Sequence, residues 1–505
     1  MVPAARGRIV GLADPRYGKT GACGGVPTYD LSMPWPTTAP TAAHRASFAD
    51  AVCAPYWLDA LPAREASPPL EGAAETDLCV VGGGFTGLWA ALQAKSDDAG
   101  RDVMLLEAET IGYGASGRNG GFLSASLTHG IENGLSRFPD ELATLERLGR
   151  ENYDGLRDDL TRHGIDCDFE ETGALHLATE PYQLSELQES AELARGYGHE
   201  VELLDGEAAR AEIHSPLYLG GVWVRGGRAL VDPGTLAAGL GRAAREAGVR
   251  VHEHTPVRGL RSRGDRIELR TPAGEVRARS VVLATNAYPP LLRQLRRYVV
   301  AVYDYVLVTE PLSAEQKRAI GWQRRQGLSD GGNQFHYFRL TADDRILYGG
   351  YDAVYRYGSP VEPRLDDHEP TFAKLAQHFF ATFPQLEGLR FSHRWGGAID
   401  TCSRFSVFFG TAHRGRVAYA AGYTGLGVGA TRFGARVALD LLDGRETEAT
   451  RLRYVRRKPV PFPPEPLRSA VIQLTRNRLA AADRNEGRRG VWLRTLDRLG
   501  LGFDS

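Results

Sequence analysis

The feature that most constrains this chain is one segment, residues 77–107, which reads DLCVVGGGFTGLWAALQAKSDDAGRDVMLLE. It combines an apolar strand, a glycine-rich turn, a helix, a second apolar strand and a terminal acid. Gly82, Gly84 and Gly87 have the G-x-G-x-x-G spacing, which allows a tight turn, close approach of a pyrophosphate and packing of the helix on the strand. Glu107 follows Gly87 by 20 residues, where a carboxylate accepts a hydrogen bond from a ribose hydroxyl. The segment therefore predicts a dinucleotide site.

A second glycine-rich loop follows directly after the acid. Residues 112–122 read GYGASGRNGGF, too polar to pack in a core and without helix or strand periodicity. One interpretation is a surface loop. The other is a ligand loop, because a connection that leaves the carboxyl end of a parallel strand returns to the crevice where ligands bind. NAD and FAD share the first fingerprint, so this loop bears on the choice between them.

The two motifs together resemble the D-amino-acid oxidase superfamily of FAD-dependent amine oxidoreductases, nearest the gamma-glutamylputrescine oxidoreductase branch. The similarity extends from about residue 56 to the C-terminus. Its further segments are VDPG at 231–234, VVLATNAY at 281–288, YFRL at 337–340, WGG at 395–397 and GYTGLGV at 422–428.

The resemblance implies an α/β fold, in which a Rossmann-like FAD-binding domain is interleaved with an α+β antiparallel-sheet substrate domain. The expected FAD-binding parts are residues 54–167, 216–299 and 395–445, and the expected substrate-domain parts are 168–215 and 300–394. Residues 1–53 are rich in Pro, Ala, Gly and Thr without periodicity, so a disordered leader is expected there. Residues 446–505 are expected to form a helical extension.

The resemblance also implies the residues that hold FAD. Arg118 and Asn119 would reach the isoalloxazine ring, and Gly425, Leu426 and Gly427 would bring backbone N–H groups to the ring edge that becomes negative on reduction. The full set of expected FAD contacts is Gly82, Gly84, Phe85, Thr86, Gly87, Glu107, Ala108, Ser116, Arg118, Asn119, Gly120, Gly121, Val257, Thr285, Gly422, Gly425, Leu426 and Gly427.

The implied reaction is oxidation of a C–N bond in an amine or amino acid. Hydride transfer to flavin N5 would be followed by hydrolysis of the imine and reoxidation by dioxygen, giving hydrogen peroxide. A carrier-linked dehydrogenase and a non-catalytic flavin subunit are the alternatives. Lys317 and Lys374 lie in charged helical segments, so the lysine that some relatives place over the flavin is expected to be missing. Covalent attachment of FAD through Cys402 is the minority interpretation.

The most informative strand of the expected substrate domain is QFHYFRL, residues 334–340. Alternation along a strand places Phe335, Tyr337 and Arg339 on one face. A phenol and a guanidinium on an aromatic wall would suit an amine with a carboxylate tail, so Tyr337 and Arg339 are the candidate catalytic residues. The alternative is an ion pair between Arg339 and a turn acid, Asp343 or Asp344.

Bulk properties favour a cytoplasmic enzyme. The 505 residues include 61 basic and 62 acidic side chains, so neither nucleic acid nor an anionic membrane surface is an expected partner. No apolar stretch is long enough to span a bilayer. The five cysteines contain no C-x-x-C pair, and His252 and His254 have no further ligand nearby, so no metal site is expected.

Overall fold

The computed structural model describes residues 35–502. The strands, in chain order, are β1 Val52–Cys53, β2 Gly72–Val81, β3 Val103–Leu106, β4 Phe122–Ser124, β5 Ala174–Ala178, β6 Val201–Asp205, β7 Gly220–Val224, β8 Arg228–Leu230, β9 Arg250–His252, β10 Gly259–Arg263, β11 Arg266–Arg270, β12 Gly274–Leu283, β13 Val300–Thr309, β14 Gly327–Asp330, β15 His336–Leu340, β16 Ile346–Gly350, β17 Val354–Tyr355, β18 Phe391–Thr401, β19 Phe408–Ala412 and β20 Val417–Ala421. The α-helices are α1 Ala42–Ala46, α2 Tyr56–Asp59, α3 Phe85–Asp97, α4 Ile131–Arg137, α5 Leu142–Arg162, α6 Pro181–Gly196, α7 Gly206–Glu212, α8 Pro233–Glu246, α9 Ala314–Ile320, α10 Glu369–Thr382, α11 Gly427–Leu442, α12 Glu448–Arg451, α13 Arg453–Arg456, α14 Leu467–Asp483 and α15 Val491–Arg498.

An eight-stranded sheet carries the glycine-rich motif. Its parallel core has the order β9-β3-β2-β12-β20, and antiparallel strands extend it beyond β12 and β20. Residues 78–81 and 103–106 are almost fully buried, as their unbroken apolar runs require in a parallel sheet that is covered on both faces.

Three helices pack around this sheet. Helix α3 contacts both α8 and α11, and its residues Leu88 and Ala90 are completely buried. Leu240 from α8 and Leu439 from α11 belong to the same apolar core. Because residues 85–92 of α3 are all buried, packing holds its first turn in place where the chain leaves β2.

The other large sheet has ten strands. Nine of them follow the order β1-β18-β13-β16-β15-β14-β5-β7-β6, and the tenth, β17, pairs with β13. The sheet is mainly antiparallel; the β1–β18 and β14–β5 pairs are parallel. Helix α10 covers one face through Phe372 and Phe379, both fully buried. The α/β fold with an antiparallel-sheet second domain is confirmed.

Strand pairing moves two of the expected domain boundaries. Strand β7, assigned from sequence to the FAD-binding part at 216–299, pairs with β5 and β6 in the ten-stranded sheet. Strand β18 crosses the expected boundary between residues 394 and 395 and pairs with β13 along its whole length. Among residues 35–502, no helix combines the length and apolar character needed to cross a membrane.

The expectation of disorder through residue 53 is wrong for its described part. Thr41 caps α1 by accepting a hydrogen bond from the backbone N–H of His44, and Phe48 is 3% exposed in the core beside Phe372. Burial of an aromatic ring stabilises this segment against the ten-stranded sheet, which its Pro- and Ala-rich composition did not indicate. Residues 1–34 lie outside the described part of the chain.

Candidate active site

The glycine-rich turn between β2 and α3 has the close contacts that its spacing predicts. Gly82 has φ +111°, and a Cβ atom there would lie 2.5 Å from the carbonyl oxygen of Ala284. A Cβ atom on Gly87 would collide with the carbonyl oxygen of Gly82. Gly84 is the N-cap of α3, with no side chain in the way of a ligand. The turn therefore presents a helix N-terminus whose N-cap residue adds no side chain, which suits a pyrophosphate.

Glu107 lies at the carboxyl end of β3, facing the turn. Its carboxylate accepts hydrogen bonds from the backbone N–H groups of Gly83 at 2.5 Å and Glu109 at 2.9 Å. Burial raises the pKa of Glu107, and the two N–H donors oppose that rise. An ionised carboxylate has about four acceptor positions, so positions remain for ribose hydroxyls.

The second glycine-rich loop is tied to α3 and to itself. Ser116 Oγ accepts a hydrogen bond from the backbone N–H of Phe85 at 2.9 Å. Asn119 Oδ1 accepts from the N–H of Gly121 at 2.8 Å, and Asn119 Nδ2 donates to the carbonyls of Ala115 and Ser116. The side chain of Asn119 thus holds the shape of the loop.

The side chain of Arg118 extends from this loop to Asp366, in the segment expected to belong to the substrate domain. Its guanidinium donates to Asp366 Oδ2 at 2.6 Å and to the carbonyl oxygen of Tyr113 at 2.8 Å. Burial raises the pKa of Asp366, and the neighbouring guanidinium counteracts the rise. Asp366 lies far from the loop in sequence, so no local pattern pointed to it.

Two buried tryptophans donate hydrogen bonds to backbone carbonyls of the loop. The indole N–H of Trp57 donates to the carbonyl oxygen of Asn119 at 2.8 Å, and that of Trp395 donates to the carbonyl oxygen of Arg118 at 2.9 Å. Both indoles are at most 2% exposed. The loop is therefore fixed before any ligand arrives, which lowers the cost of binding.

Asp400, at the end of β18, is a site residue that sequence reasoning missed. Its carboxylate accepts a hydrogen bond from the N–H of Gly422 at 2.6 Å, and its backbone carbonyl accepts one from the N–H of Thr424 at 3.2 Å. Burial raises the pKa of Asp400 to about 7 despite these donors. The carboxylate holds the loop that leads to Gly425 and the N-terminus of α11.

The side chain of Tyr337 projects from β15, a strand of the ten-stranded sheet, toward the second glycine-rich loop. Its hydroxyl donates to Asp304 Oδ2 at 2.5 Å, and its ring packs edge-on against Phe122. A Cβ atom on Gly120 would lie 2.7 Å from the Tyr337 ring. Burial raises the pKa of Asp304 to about 6, and the hydrogen bond from Tyr337 opposes that rise. A lone acid in the apolar run of β13 was the available signal for Asp304.

The structure corrects the assignment of Arg339 to the substrate site. The residue is 1% exposed, and its guanidinium donates to the carbonyl oxygens of Val231 at 2.6 Å and Gly121 at 3.4 Å. The alternative ion pair with a turn acid is also wrong. Asp343 pairs with Arg345, and Asp344 pairs with Lys317 and Arg325. Arg339 instead joins β15 to the end of the glycine-rich loop.

Two histidines that the sequence did not single out also line the cavity. His129 has φ +61°, and its buried Nδ1 has no hydrogen-bond partner within residues 35–502. His176 Nδ1 lies 2.7 Å from Ser329 Oγ. Burial lowers the pKa of each imidazole to about 4, so both are neutral at pH 7.

One continuous cavity of about 1450 Å³ joins the glycine-rich turn to the ten-stranded sheet. It exceeds the roughly 300–1,000 Å³ of ordinary ligand pockets, so a dinucleotide and a second ligand can share it. Tyr337 and all the expected FAD contacts line it except Gly87, Gly121 and Gly422. Of these three, Gly87 and Gly121 permit close approach of a backbone carbonyl, and Gly422 permits close approach of the Cys402 side chain.

Cys402 and the two candidate lysines lie off the cavity wall. The Cys402 thiol is buried and donates to the carbonyl oxygens of Ser406 and Gly422, and burial raises its pKa. Such a thiol is a poor nucleophile, so non-covalent FAD stays the prediction. Lys317 pairs with Asp344, and Lys374 pairs with Asp352.

Comparison with known proteins adds to this geometry. Residues 77–441 match the family model described as "DAO: FAD dependent oxidoreductase". The chain is similar to gamma-glutamylputrescine oxidoreductase of Escherichia coli (strain K12), with 36% identity over 379 residues that cover 73% of this chain and 84% of the relative. It is also similar to glycine oxidase of Geobacillus kaustophilus, with 30% identity covering 58% of this chain and 78% of that relative.

Solved structures show the same fold. The crystal structure of glycine oxidase from Geobacillus kaustophilus aligns with a TM-score of 0.62 and 21% identity, covering 74% of this chain and 96% of that one. The crystal structure of L-proline dehydrogenase from P. horikoshii aligns with a TM-score of 0.61 and 18% identity, covering 74% of this chain and 95% of that one. These likenesses concern the architecture alone.

Proposed function

Because the chain belongs to the DAO family of FAD-dependent oxidoreductases, we propose that it oxidises the C–N bond of one amine or amino acid and passes the electrons to dioxygen, with hydrogen peroxide as product. FAD is its cofactor, and it is an oxidoreductase acting on amines or amino acids. The observation that carries the amine-binding part of this proposal is the position of Tyr337. This phenol lies against the glycine-rich loop and in the same cavity as the cofactor residues.

The chain's own residues would hold FAD at three points. The N-terminus of α3, where Gly84 adds no side chain, suits the pyrophosphate, and Glu107 has acceptor positions left for a ribose. The first-turn N–H groups of α11, beyond Gly425, suit the ring edge that gains negative charge. The chemistry supplied by bound FAD is the uptake of two electrons from the substrate carbon next to nitrogen.

Tyr337 and Asp304 define how an amine would bind. The Tyr337 hydroxyl donates its one O–H hydrogen bond to Asp304, so the lone pairs of its oxygen are left to accept an N–H from the substrate. That geometry would position the amine nitrogen beside the glycine-rich loop. His176 and His129, both neutral, add no charge that would repel an ammonium group during entry.

A carrier-linked dehydrogenase is the second candidate, supported by one observation. No lysine within residues 35–502 lines the cavity, whereas some relatives that react with dioxygen place a lysine over the flavin. In that case the same half-reaction would reduce FAD, and a protein or quinone would remove the electrons.

The two candidates separate in one experiment on the purified, FAD-loaded chain. Anaerobic mixing with primary and secondary amines, amino acids and gamma-glutamyl amines should bleach the oxidised flavin band with one class. Admitting air should restore the band and release hydrogen peroxide. Bleaching that air does not reverse within minutes supports the carrier-linked reaction, and no bleaching by any member rejects both.

Replacement of Tyr337 by Phe tests the amine-binding role. Tyr337→Phe should lower kcat/KM about 2- to 10-fold, the effect of losing one hydrogen bond worth about 0.5–1.5 kcal/mol. Tyr357→Phe is the matched control, because that ring is 68% exposed and lies away from the cavity wall. An unchanged kcat/KM for Tyr337→Phe would remove the phenol from amine binding.

A further inference from the structure

The C-terminal helices take part in the cavity although they lie outside the family match. The match ends at residue 441, whereas α14 and α15 span residues beyond it and contribute to the wall of the cavity that the FAD residues line. Only Ala482 of α14 is buried, so core packing does not account for the position of this helix.

Carboxylates hold both ends of α14 in place. At its start, Glu465 accepts hydrogen bonds from the Tyr355 hydroxyl at 2.5 Å and the Gly358 N–H at 3.1 Å. Burial would raise the pKa of Glu465, but hydrogen bonds from Tyr355, Ser469 and Gly358 outweigh it and lower the pKa to about 2, so the carboxylate is ionised. Glu465 thereby anchors the start of the helix to β17 and the turn that follows it.

The other end of α14 is bonded to the loop before β15. Asp483 Oδ1 accepts hydrogen bonds from the backbone N–H of Asn333 at 2.9 Å and from its amide at 2.6 Å, and Asp483 Oδ2 accepts from the N–H of Gln334 at 3.1 Å. That loop leads directly into the strand of Tyr337. The helix is therefore fixed at both ends across the substrate part of the cavity.

One face of α14 forms this part of the wall. Its cavity residues are Val471, Ile472, Thr475, Arg476 and Leu479. Their spacing places them on a single helical face. The second helix continues the apolar surface through Leu493, which is 1% exposed, and Leu496.

Arg476 is the charged exception on that apolar face. No carboxylate within residues 35–502 forms an ion pair with it, and its hydrogen bond to the carbonyl oxygen of Ala353 is long, at 3.5 Å. By contrast, Lys374 nearby is already neutralised by both oxygens of Asp352. A guanidinium in an apolar wall has a strong preference for an anionic oxygen partner.

From this arrangement we propose that α14 and α15 are the roof of the substrate site and that Arg476 binds an anionic group on the substrate, remote from its amine. The inference rests on the proposed amine oxidation and narrows it. The selected substrate is an amine with an apolar body, which packs under Val471, Ile472 and Leu479, and with a carboxylate at its far end.

The first test uses matched substrates on the FAD-loaded full chain. Aminoalkanoates and alkylamines of equal chain length, from four to ten carbons, are compared in the wild type, Arg476→Ala and Arg476→Lys. At the best length, Arg476→Ala should raise the KM of the aminoalkanoate about 10- to 100-fold, the effect of losing a charged hydrogen bond, and leave that of the alkylamine unchanged. Arg476→Lys should recover part of the loss. Arg478→Ala, which removes an exposed charge from the same helix, should alter neither.

Equal changes in KM for both substrate series, or no preference of the wild type for aminoalkanoates at any length, would overturn the proposal. A second measurement does not depend on turnover. Hexanoate should perturb the flavin absorbance of the wild type and of Arg478→Ala at about tenfold lower concentration than that of Arg476→Ala. Hexanol, which lacks the charge, should not discriminate among them.

The two proposals fail differently. If no amine bleaches the flavin but hexanoate binding still depends on Arg476, amine oxidation is rejected and the anion site under the roof stands. If amines bleach the flavin and hexanoate binds Arg476→Ala as well as the wild type, the roof proposal is rejected alone. Circular dichroism and the FAD content of each variant check that it is folded.

Discussion

Glu107 illustrates how single residues of this site serve two purposes. Its carboxylate already accepts two backbone N–H groups, one from the turn and one from its own strand end. The acid therefore orders the turn and keeps acceptor capacity for a ribose. An amide or alanine in its place would lose part of both effects.

Glu107→Ala should weaken FAD binding. Hydrogen bonds to a charged acceptor contribute about 1.5–3 kcal/mol, which corresponds to a roughly 10- to 150-fold rise in the dissociation constant. Titration of the apoprotein with FAD, followed by flavin fluorescence, measures it. Glu75→Ala is the control, since that exposed side chain on β2 lies away from the cavity wall. Equal affinities of wild type and Glu107→Ala would contradict the ribose role.

At the scale of elements, β15 shows how one strand face can have two functions. Tyr337 and Arg339 share a face, as alternation predicts, and they contact consecutive loop residues, Gly120 and Gly121. Tyr337 lines the cavity, whereas Arg339 lies outside it and donates a hydrogen bond to the backbone carbonyl of Val231. Side-chain alternation gave the face correctly but could not say where the cavity stopped.

Arg339→Met should therefore destabilise the protein instead of changing substrate choice. Removing the charged hydrogen bond to the Val231 carbonyl should lower the free energy of unfolding by about 1.5–3 kcal/mol, measured by urea denaturation. Arg364→Met is the control, because it breaks a largely exposed ion pair with Glu362 that is worth about 0–1 kcal/mol. A selective rise in KM for carboxylate-bearing substrates in Arg339→Met, at unchanged stability, would restore Arg339 to the substrate site.

For the whole molecule, Asp400 is a link between the two sheets. It stands at the end of β18 in the ten-stranded sheet and bonds the loop that joins β20 of the other sheet to α11. Its pKa is raised from an ordinary value of 3.8 to about 7 by burial. The folded protein therefore binds this proton more tightly than the unfolded chain does, so ionisation of Asp400 costs stability as pH rises.

The stabilising contribution of protonated Asp400 should be complete below about pH 4 and should be lost as pH rises through about 7. At about 1.4 kcal/mol for each pKa unit, the full loss approaches about 4 kcal/mol. Thermal unfolding with excess FAD should give a steeper fall in Tm between pH 5 and 8 for the wild type than for Asp400→Asn. Asp304 titrates in both proteins, so its effect cancels. Parallel Tm profiles would contradict the shifted pKa.

The dinucleotide turn, the acid at the end of β3, the α/β class and the second glycine-rich loop were determined by the sequence itself. Each depends on residues close together along the chain, where strand period, helix period and glycine spacing constrain the backbone directly. Gly82, Gly87 and Glu107 are examples.

Only the tertiary structure determined which distant residues form hydrogen bonds with each other. Asp304 meets Tyr337, Asp366 meets Arg118, and Asp400 meets Gly422 across long stretches of chain. It also placed Arg339 behind the cavity and Arg476 on its wall. A charged side chain has the same local sequence signature in either position. Only packing in three dimensions determines whether it contacts backbone, another side chain or an open cavity, and therefore whether it supports the fold or binds a ligand.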